Sequence, residues 1–247
     1  HLIISLISKR FFSFFFSLFF NGIINIIGVK VNVSGLPKKR RTLFVSNHIS
    51  YLDIIVYGSL INTVFVAKSE IKKWPIINKL CTIAKTIFVE RNDIRSLRNQ
   101  ISLIEKSLQK DTNVLFFPEG TSSDGSNVLR FKSSLFSIIE RKKLEDFYIQ
   151  PVSLSYNKLD GLPLNKSYRP FLAWFGGMDL FSHLWKFLGL GTSEVKVNFH
   201  KAKKFSSFSN RKDACFFCYE KISEQLNNDH RSLEINNKLK LHELKFL

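Results

Sequence analysis

His48 and Asp53 stand five positions apart in the stretch Val45-Ser46-Asn47-His48-Ile49-Ser50-Tyr51-Leu52-Asp53. A neutral imidazole takes up a proton near physiological pH. A carboxylate bonded to its other nitrogen fixes the tautomer and stabilises the imidazolium that forms. The pair is therefore a candidate general base. In one continuous α-helix five residues turn through roughly 140°, which would point the two side chains apart. His48 is accordingly expected in a strand-to-helix loop, with Ser50 capping a helix from about Tyr51 and Asp53 in the first turn reaching back to the ring. The same spacing also suits a capping aspartate beside an incidental loop histidine, and the pair alone does not choose between them.

The elements that must position this pair can be read on either side of it. Leu43–Val45 is an apolar run that predicts a buried strand, followed by a helix to about Leu60 and a strand at Val64–Ala67. Thr86–Val89 predicts a short strand ending before Arg91. From Asp93 to Gln109, Ile94, Leu97, Ile101, Ile104 and Leu108 recur at helical spacing. Val114–Phe117 is an apolar strand broken by Pro118-Glu119-Gly120-Thr121. Strands alternating with helices indicate an α/β fold, a central mixed sheet flanked by helices. Further strands are expected at Val29–Val33, Tyr148–Tyr156, Tyr168–Phe175 and Glu194–Phe199, with helices at Met178–Leu188 and Asp213–Leu226. Pro151 inside its strand calls for an edge or a bulge.

The chain has 247 residues, 45% of them hydrophobic, enough for one sizeable core. Its 37 Lys and Arg against 20 Asp and Glu leave a net charge of +17, which calls for an anionic partner. The phenylalanines crowd between Phe11 and Phe20 instead of interleaving with basic residues, so acidic membrane lipids are expected and nucleic acid is not. Leu2–Val29 is mostly apolar. Lys9, Ser13, Ser17, Asn21 and Asn25 draw a polar stripe along it, suited to a helix lying in the membrane interface or packed on protein. With no small-residue cleavage site after it, a retained anchor is expected over residues 1–30, then one main domain over 31–228 and a polar tail over 229–247. Lys38–Arg41 is a basic cluster suited to lipid headgroups. Cys81, Cys215 and Cys218 are expected as buried thiols, Cys215-Phe-Phe-Cys218 lacking the second pair that a zinc site needs.

Taken in order, the blocks His48 to Asp53, Phe88 with Arg91, Pro118-Glu119-Gly120-Thr121 and Pro151-Val152 resemble the glycerolipid acyltransferase family, in particular the 1-acylglycerol-3-phosphate acyltransferases. Ala67-Lys68-Ser69-Glu70 lies between the first two blocks, and the resemblance covers about residues 43–156. Tyr168–Trp185 also looks like a bacterial branch of the family. Lys85 departs from it, standing where many members carry glycine. The resemblance implies transfer of a fatty acyl group from coenzyme A or acyl carrier protein to the free hydroxyl of lysophosphatidate, giving phosphatidic acid at the cytoplasmic face of a bacterial inner membrane. It implies no cofactor beyond that thioester co-substrate.

His48 and Asp53 would then be catalytic, and Arg91 a planar fork for the phosphate. Gly120 and Thr121 would add close backbone approach and a hydroxyl, Glu119 would orient Arg91 or its loop, and Lys68 and Lys132 would add positive potential. Another lysolipid, such as lyso-ornithine lipid, fits the same blocks. A serine hydrolase is disfavoured because no Gly-x-Ser-x-Gly occurs. A non-catalytic basic membrane-binding protein would leave the four ordered blocks to chance.

Overall fold

The structure, a computed structural model, describes residues 15–68, 78, 81, 86–89, 94–110, 112–141, 144 and 146–243. Arg91, Lys85, Asp93, Ser69-Glu70 and the stripe residues Lys9 and Ser13 lie outside these, and the side chain of Lys68 is not described.

Among the described residues the chain runs through helix α1 (residues 15–26), strands β1 (Val29–Ser34) and β2 (Thr42–Ser46), helix α2 (Leu52–Leu60), β3 (Thr63–Lys68), β4 (Ile87–Val89) and α3 (Ile94–Gln109). β5 (Asn113–Phe116), a 3-10 helix (Ser133–Glu140), β6 (Tyr148–Leu159), β7 (Leu162–Pro163) and the short helix α4 (Arg169–Leu172) follow. The last elements are α5 (Leu180–Leu188), β8 (Ser193–Phe199), β9 (Lys203–Lys204) and α6 (Arg211–Glu243).

The strands form one mixed sheet in the order β1-β8-β6-β2-β5-β3-β4, with β7 and β9 paired to β6. From β6 to β4 neighbouring strands are parallel, β8 is antiparallel to β6, and β1 is parallel to β8. Parallel strands are joined through helices that cover both faces, so β2 and β5 are buried throughout and read as continuous apolar runs. Alternation along β2 sorts the two cores. Phe44 faces a cluster with Phe16, Phe20 and Ile24 of α1, Leu52 and Val56 of α2, Leu172 of α4 and Phe187 of α5. Leu43 and Val45 face the other cluster, with Ile101 and Ile104 of α3, Phe136 of the 3-10 helix, and Cys218 and Ile222 of α6.

Three expectations are corrected. Tyr168–Phe175 is not a strand: a 3-10 turn leads into α4, where Pro170 falls in the first helical turn and its fixed φ suits that position. The polar stretch after Leu226 is helical, since α6 continues to Glu243 across the expected boundary at 228/229. It stays attached to the sheet there, because Asp229 is buried and accepts from Ser155 Oγ at 3.0 Å. Pro151 is not on an edge strand: it lies inside β6, between β8 and β2 and beside the end of β2. On the side of β8 and β9, pairing of β6 stops at Val152–Phe199 and resumes one residue out of step at Ile149–Lys203, so proline meets that ladder at an interruption, where no N–H is required.

The N-terminal helix is packed on protein along one face. Phe20 is fully buried, and its ring lies over Gly58 of α2, where a Cβ would come within 2.6 Å of it. No helix among the described residues is long and apolar enough to cross a membrane.

Candidate active site

β2 ends at Ser46, and Asn47 anchors the departing chain. Its side-chain amide donates to Leu154 O and accepts from Leu154 N, both at 2.9 Å, as a backbone unit would in the ladder. His48 is then free to leave the plane of the sheet. Its Nδ1 lies 2.8 Å from Asp53 Oδ2. The same oxygen accepts from the backbone N–H of Ile49 at 2.7 Å and of Ser50 at 3.0 Å. Asp53 therefore reaches back from the first turn to tie down the loop that precedes its helix. Ser50 does not cap that helix, and its hydroxyl has no partner among the described residues. The spacing of five is explained: the helix starts between the two residues, and the first-turn carboxylate folds back over the loop.

Asp53 is fully buried, and a buried carboxylate requires several donors. The fourth is Tyr156 Oη of β6, which donates to Oδ1 at 3.0 Å. Burial and the neighbouring carboxylate push the Tyr156 phenol well above its usual range, so it stays a donor. An ionised carboxylate only accepts, so the Nδ1 of a neutral His48 carries the proton and the Nε2 lone pair is the basic site. The imidazole is 21% exposed and stacks on Phe117 at 4.1 Å between centroids.

The loop after β5 clamps the histidine loop from the other side. Glu119 is buried, with Oε1 accepting from His48 N at 2.8 Å and Oε2 from Leu129 N at 2.9 Å. Burial pushes its carboxyl up to about 8. Gly120 closes the turn at φ +79°, a left-handed conformation that a glycine adopts without strain, and its N–H donates to Phe117 O at 3.2 Å. Ser123 N donates to His48 O at 2.9 Å, and Trp174 N to Ile49 O at 3.0 Å. Tyr51 Oη lies 3.0 Å from Nδ1 of buried His183 in α5, whose Nε2 lies 3.2 Å from Ala173 O. The carbonyl accepts only, so His183 Nε2 holds the proton and Tyr51 donates to Nδ1.

The structure thus brings His48, Asp53, Glu119 and Gly120 together. Thr121 is exposed at the end of the same turn, and Lys132 is exposed where its N–H donates to Pro118 O at 3.0 Å. Lys68 is the last residue of β3, and Phe88 pairs with Ala67 in β4. Tyr156 was not singled out from the sequence. It follows Val152 and Leu154 on one face of a strand, and a tyrosine in such a position needs a partner for its hydroxyl, the one available signal. Cys81, Cys215 and Cys218 are buried free thiols.

Residues 30–155 match the family model described as Acyltransferase. A lyso-ornithine lipid O-acyltransferase of Rhizobium meliloti (strain 1021) is 36% identical over 206 residues, covering 81% of this chain and 70% of that protein. The chain belongs to the acyltransferase family. A 1-acyl-sn-glycerol-3-phosphate acyltransferase of Neisseria gonorrhoeae is also similar, 32% identical over 174 residues, or 70% of this chain and 64% of that protein. The crystal structure of the 1-acyl-sn-glycerophosphate (LPA) acyltransferase PlsC from Thermotoga maritima has the same fold, with a TM-score of 0.66 at 22% identity over 91% of this chain and 82% of that one. The stretch matched by the acyltransferase model contains the histidine loop, Arg91 and the Pro-Glu-Gly-Thr turn.

Proposed function

We propose that this acyltransferase moves a fatty acyl group from a thioester of coenzyme A or acyl carrier protein to the free hydroxyl of a lysolipid, with His48 as the general base. The observation that carries this reading is the 2.8 Å contact of His48 Nδ1 with buried Asp53, which leaves Nε2 of the partly exposed imidazole as the basic nitrogen. The acceptor oxygen attacks the thioester carbonyl carbon while Nε2 takes its proton. The tetrahedral intermediate collapses with loss of the C–S bond, and the imidazolium returns the proton to the departing sulfur. Asp53, held by Tyr156, Ile49 N and Ser50 N, stabilises that imidazolium.

Lyso-ornithine lipid is the proposed acceptor. Relatives bearing that activity in their names are 36% and 32% identical to the chain over 81% and 78% of it. A second reading, lysophosphatidate, is supported by the Neisseria relative and by the motif blocks. Arg91 would then fork the phosphate, aided by Gly120, Thr121, Lys68 and Lys132. We assign Glu119 to holding the histidine loop and not to touching the acceptor, because both its oxygens are taken by backbone N–H groups. Residues 1–30 are proposed to associate with the cytoplasmic face of a bacterial inner membrane, supported by apolar side chains on the outer side of α1 such as Leu18 and Ile26.

Acyl transfer from a labelled thioester by the purified protein, assayed with lyso-ornithine lipid, lysophosphatidate and monoacylglycerol, tests the reading. Lyso-ornithine lipid is expected to be the most efficient acceptor. A preference for lysophosphatidate would select the second reading, and no transfer to any of them would overturn both.

A further inference from the structure

Helix α5 is apolar on two sides. Leu180, His183 and Phe187 turn inward and are buried, whereas Phe181, Trp185 and Leu188 are 56%, 81% and 52% exposed. The exposed three recur at spacings of four and three, so they form one stripe. A helix whose apolar residues run beyond its inward face is normally covered there as well, and a contiguous exposed apolar stripe marks a contact surface. Ser182 and Lys186 are exposed beside the stripe and supply its polar flank. On the opposite face of the sheet the pattern differs: Phe216 of α6 is exposed singly among Lys212, Asp213 and Glu220.

We propose that the Phe181-Trp185-Leu188 stripe of α5 is a second membrane-contact surface, besides the N-terminal segment, and that it seats in the headgroup–acyl boundary of a lipid bilayer. The composition fits that occupant: an indole and a phenyl ring between apolar and polar surroundings, an aliphatic tip, and a lysine able to reach outward to acidic headgroups. The chain's +17 charge complements an acidic bilayer. The segments leaving α1 and α5 come together at the start of the β1–β8 ladder, where Ser193 N donates to Gly28 O at 3.0 Å and a Cβ on Gly28 would lie 3.3 Å from Gly191 O. Ile26, 85% exposed, and Leu188 are each within three residues of that junction. On its inner side α5 carries His183, bonded to Tyr51 beside the histidine loop, so seating this helix in lipid sets the loop at the bilayer surface. The inference rests on the lipid acceptor proposed above.

Co-sedimentation of the full chain with vesicles of phosphatidylglycerol and phosphatidylcholine tests it. Trp185→Glu and Phe181→Glu alter exposed side chains, and thermal melting checks that both variants fold as the wild type does. Each is expected to lower the partition coefficient by about tenfold or more, the equivalent of withdrawing one large apolar side chain from lipid. Turnover of vesicle-borne lysolipid should fall in step, while turnover of detergent-dispersed lysolipid stays at the wild-type level. Brominated lipid should quench wild-type tryptophan fluorescence more than that of Trp185→Phe. Wild-type partitioning by both Glu variants would overturn the proposal, as would a stable dimer that Trp185→Glu dissociates. A wild type that binds vesicles through α5 but acylates no lysolipid would overturn the acceptor reading and leave this surface standing.

Discussion

Tyr156 Oη donates to Asp53 Oδ1 at 3.0 Å, so a residue of the central strand β6 holds the carboxylate that holds His48. Removing that hydroxyl leaves Asp53 with three donors and a rotational freedom it lacks now. Tyr156→Phe is expected to lower kcat by roughly 10- to 150-fold, the equivalent of about 1.5 to 3 kcal/mol for one hydrogen bond to a charged group, with KM little changed. Steady-state kinetics on the folded variant check this, and an unchanged kcat would remove Tyr156 from the positioning of Asp53.

Glu119 gives a pH signature. Burial raises its carboxyl from 4.5 to about 8, so in the folded chain it keeps its proton over a range where the unfolded chain has lost it. Its contribution to stability is complete below the unfolded value and is lost as pH rises through about 8, an effect of order a few kcal/mol. Wild-type Tm should therefore decline across this window more steeply than that of Glu119→Gln. The variant should also be less stable at the acid end, because its NH2 faces a backbone donor. Parallel Tm–pH curves would show that Glu119 does not titrate in this way.

Phe20 tests whether the N-terminal helix belongs to the core. It is fully buried against Gly58, so Phe20→Ala is expected to cost roughly 3 to 5 kcal/mol in chemical denaturation. Gly58→Val should also destabilise, since its first added carbon would already meet the Phe20 ring at 2.6 Å. A loss below about 1 kcal/mol for Phe20→Ala would mean that α1 detaches without cost to the domain.

The buried thiols test direct transfer. Burial pushes the Cys215 thiol up to about 11 and the Cys218 thiol well above its usual range, away from the thiolate form a nucleophile needs. Replacing Cys81, Cys215 and Cys218 together by alanine should leave kcat of the folded protein within about twofold of the wild type, because the proposed base is a histidine. A trapped acyl-cysteine in the wild type would contradict that expectation.

The strand and loop around His48 were legible because a strand covered on both faces must be apolar throughout, and a break into Ser-Asn-His after such a run marks where the chain leaves the sheet. The return of Asp53 to the imidazole was one of two readings of the spacing, since a capping aspartate beside an incidental loop histidine fitted it as well. The donor for its second oxygen was not legible, because Tyr156 is 103 positions away and only the β2–β6 pairing brings it close. Tyr168–Phe175 misled because its aromatic and aliphatic residues suit a strand as well as a short helix, and Pro170 decided the matter only by its place in the first turn. The polar composition after Leu226 hid a helix that keeps Asp229 against Ser155, since a helix on the outer face needs few apolar residues to stay attached.

The central claim is that His48 acts as a base in direct transfer between a thioester and a lysolipid. Its most direct test is the rate at which labelled acyl groups pass from thioester to lyso-ornithine lipid, with wild type and His48→Ala compared in one experiment and label on the protein counted alongside. The account predicts transfer by the wild type, a fall of roughly 10² to 10⁴ in His48→Ala, and no label retained on the protein. A variant that transfers as fast as the wild type, or an acylated protein that forms and decays at the rate of turnover, would contradict it.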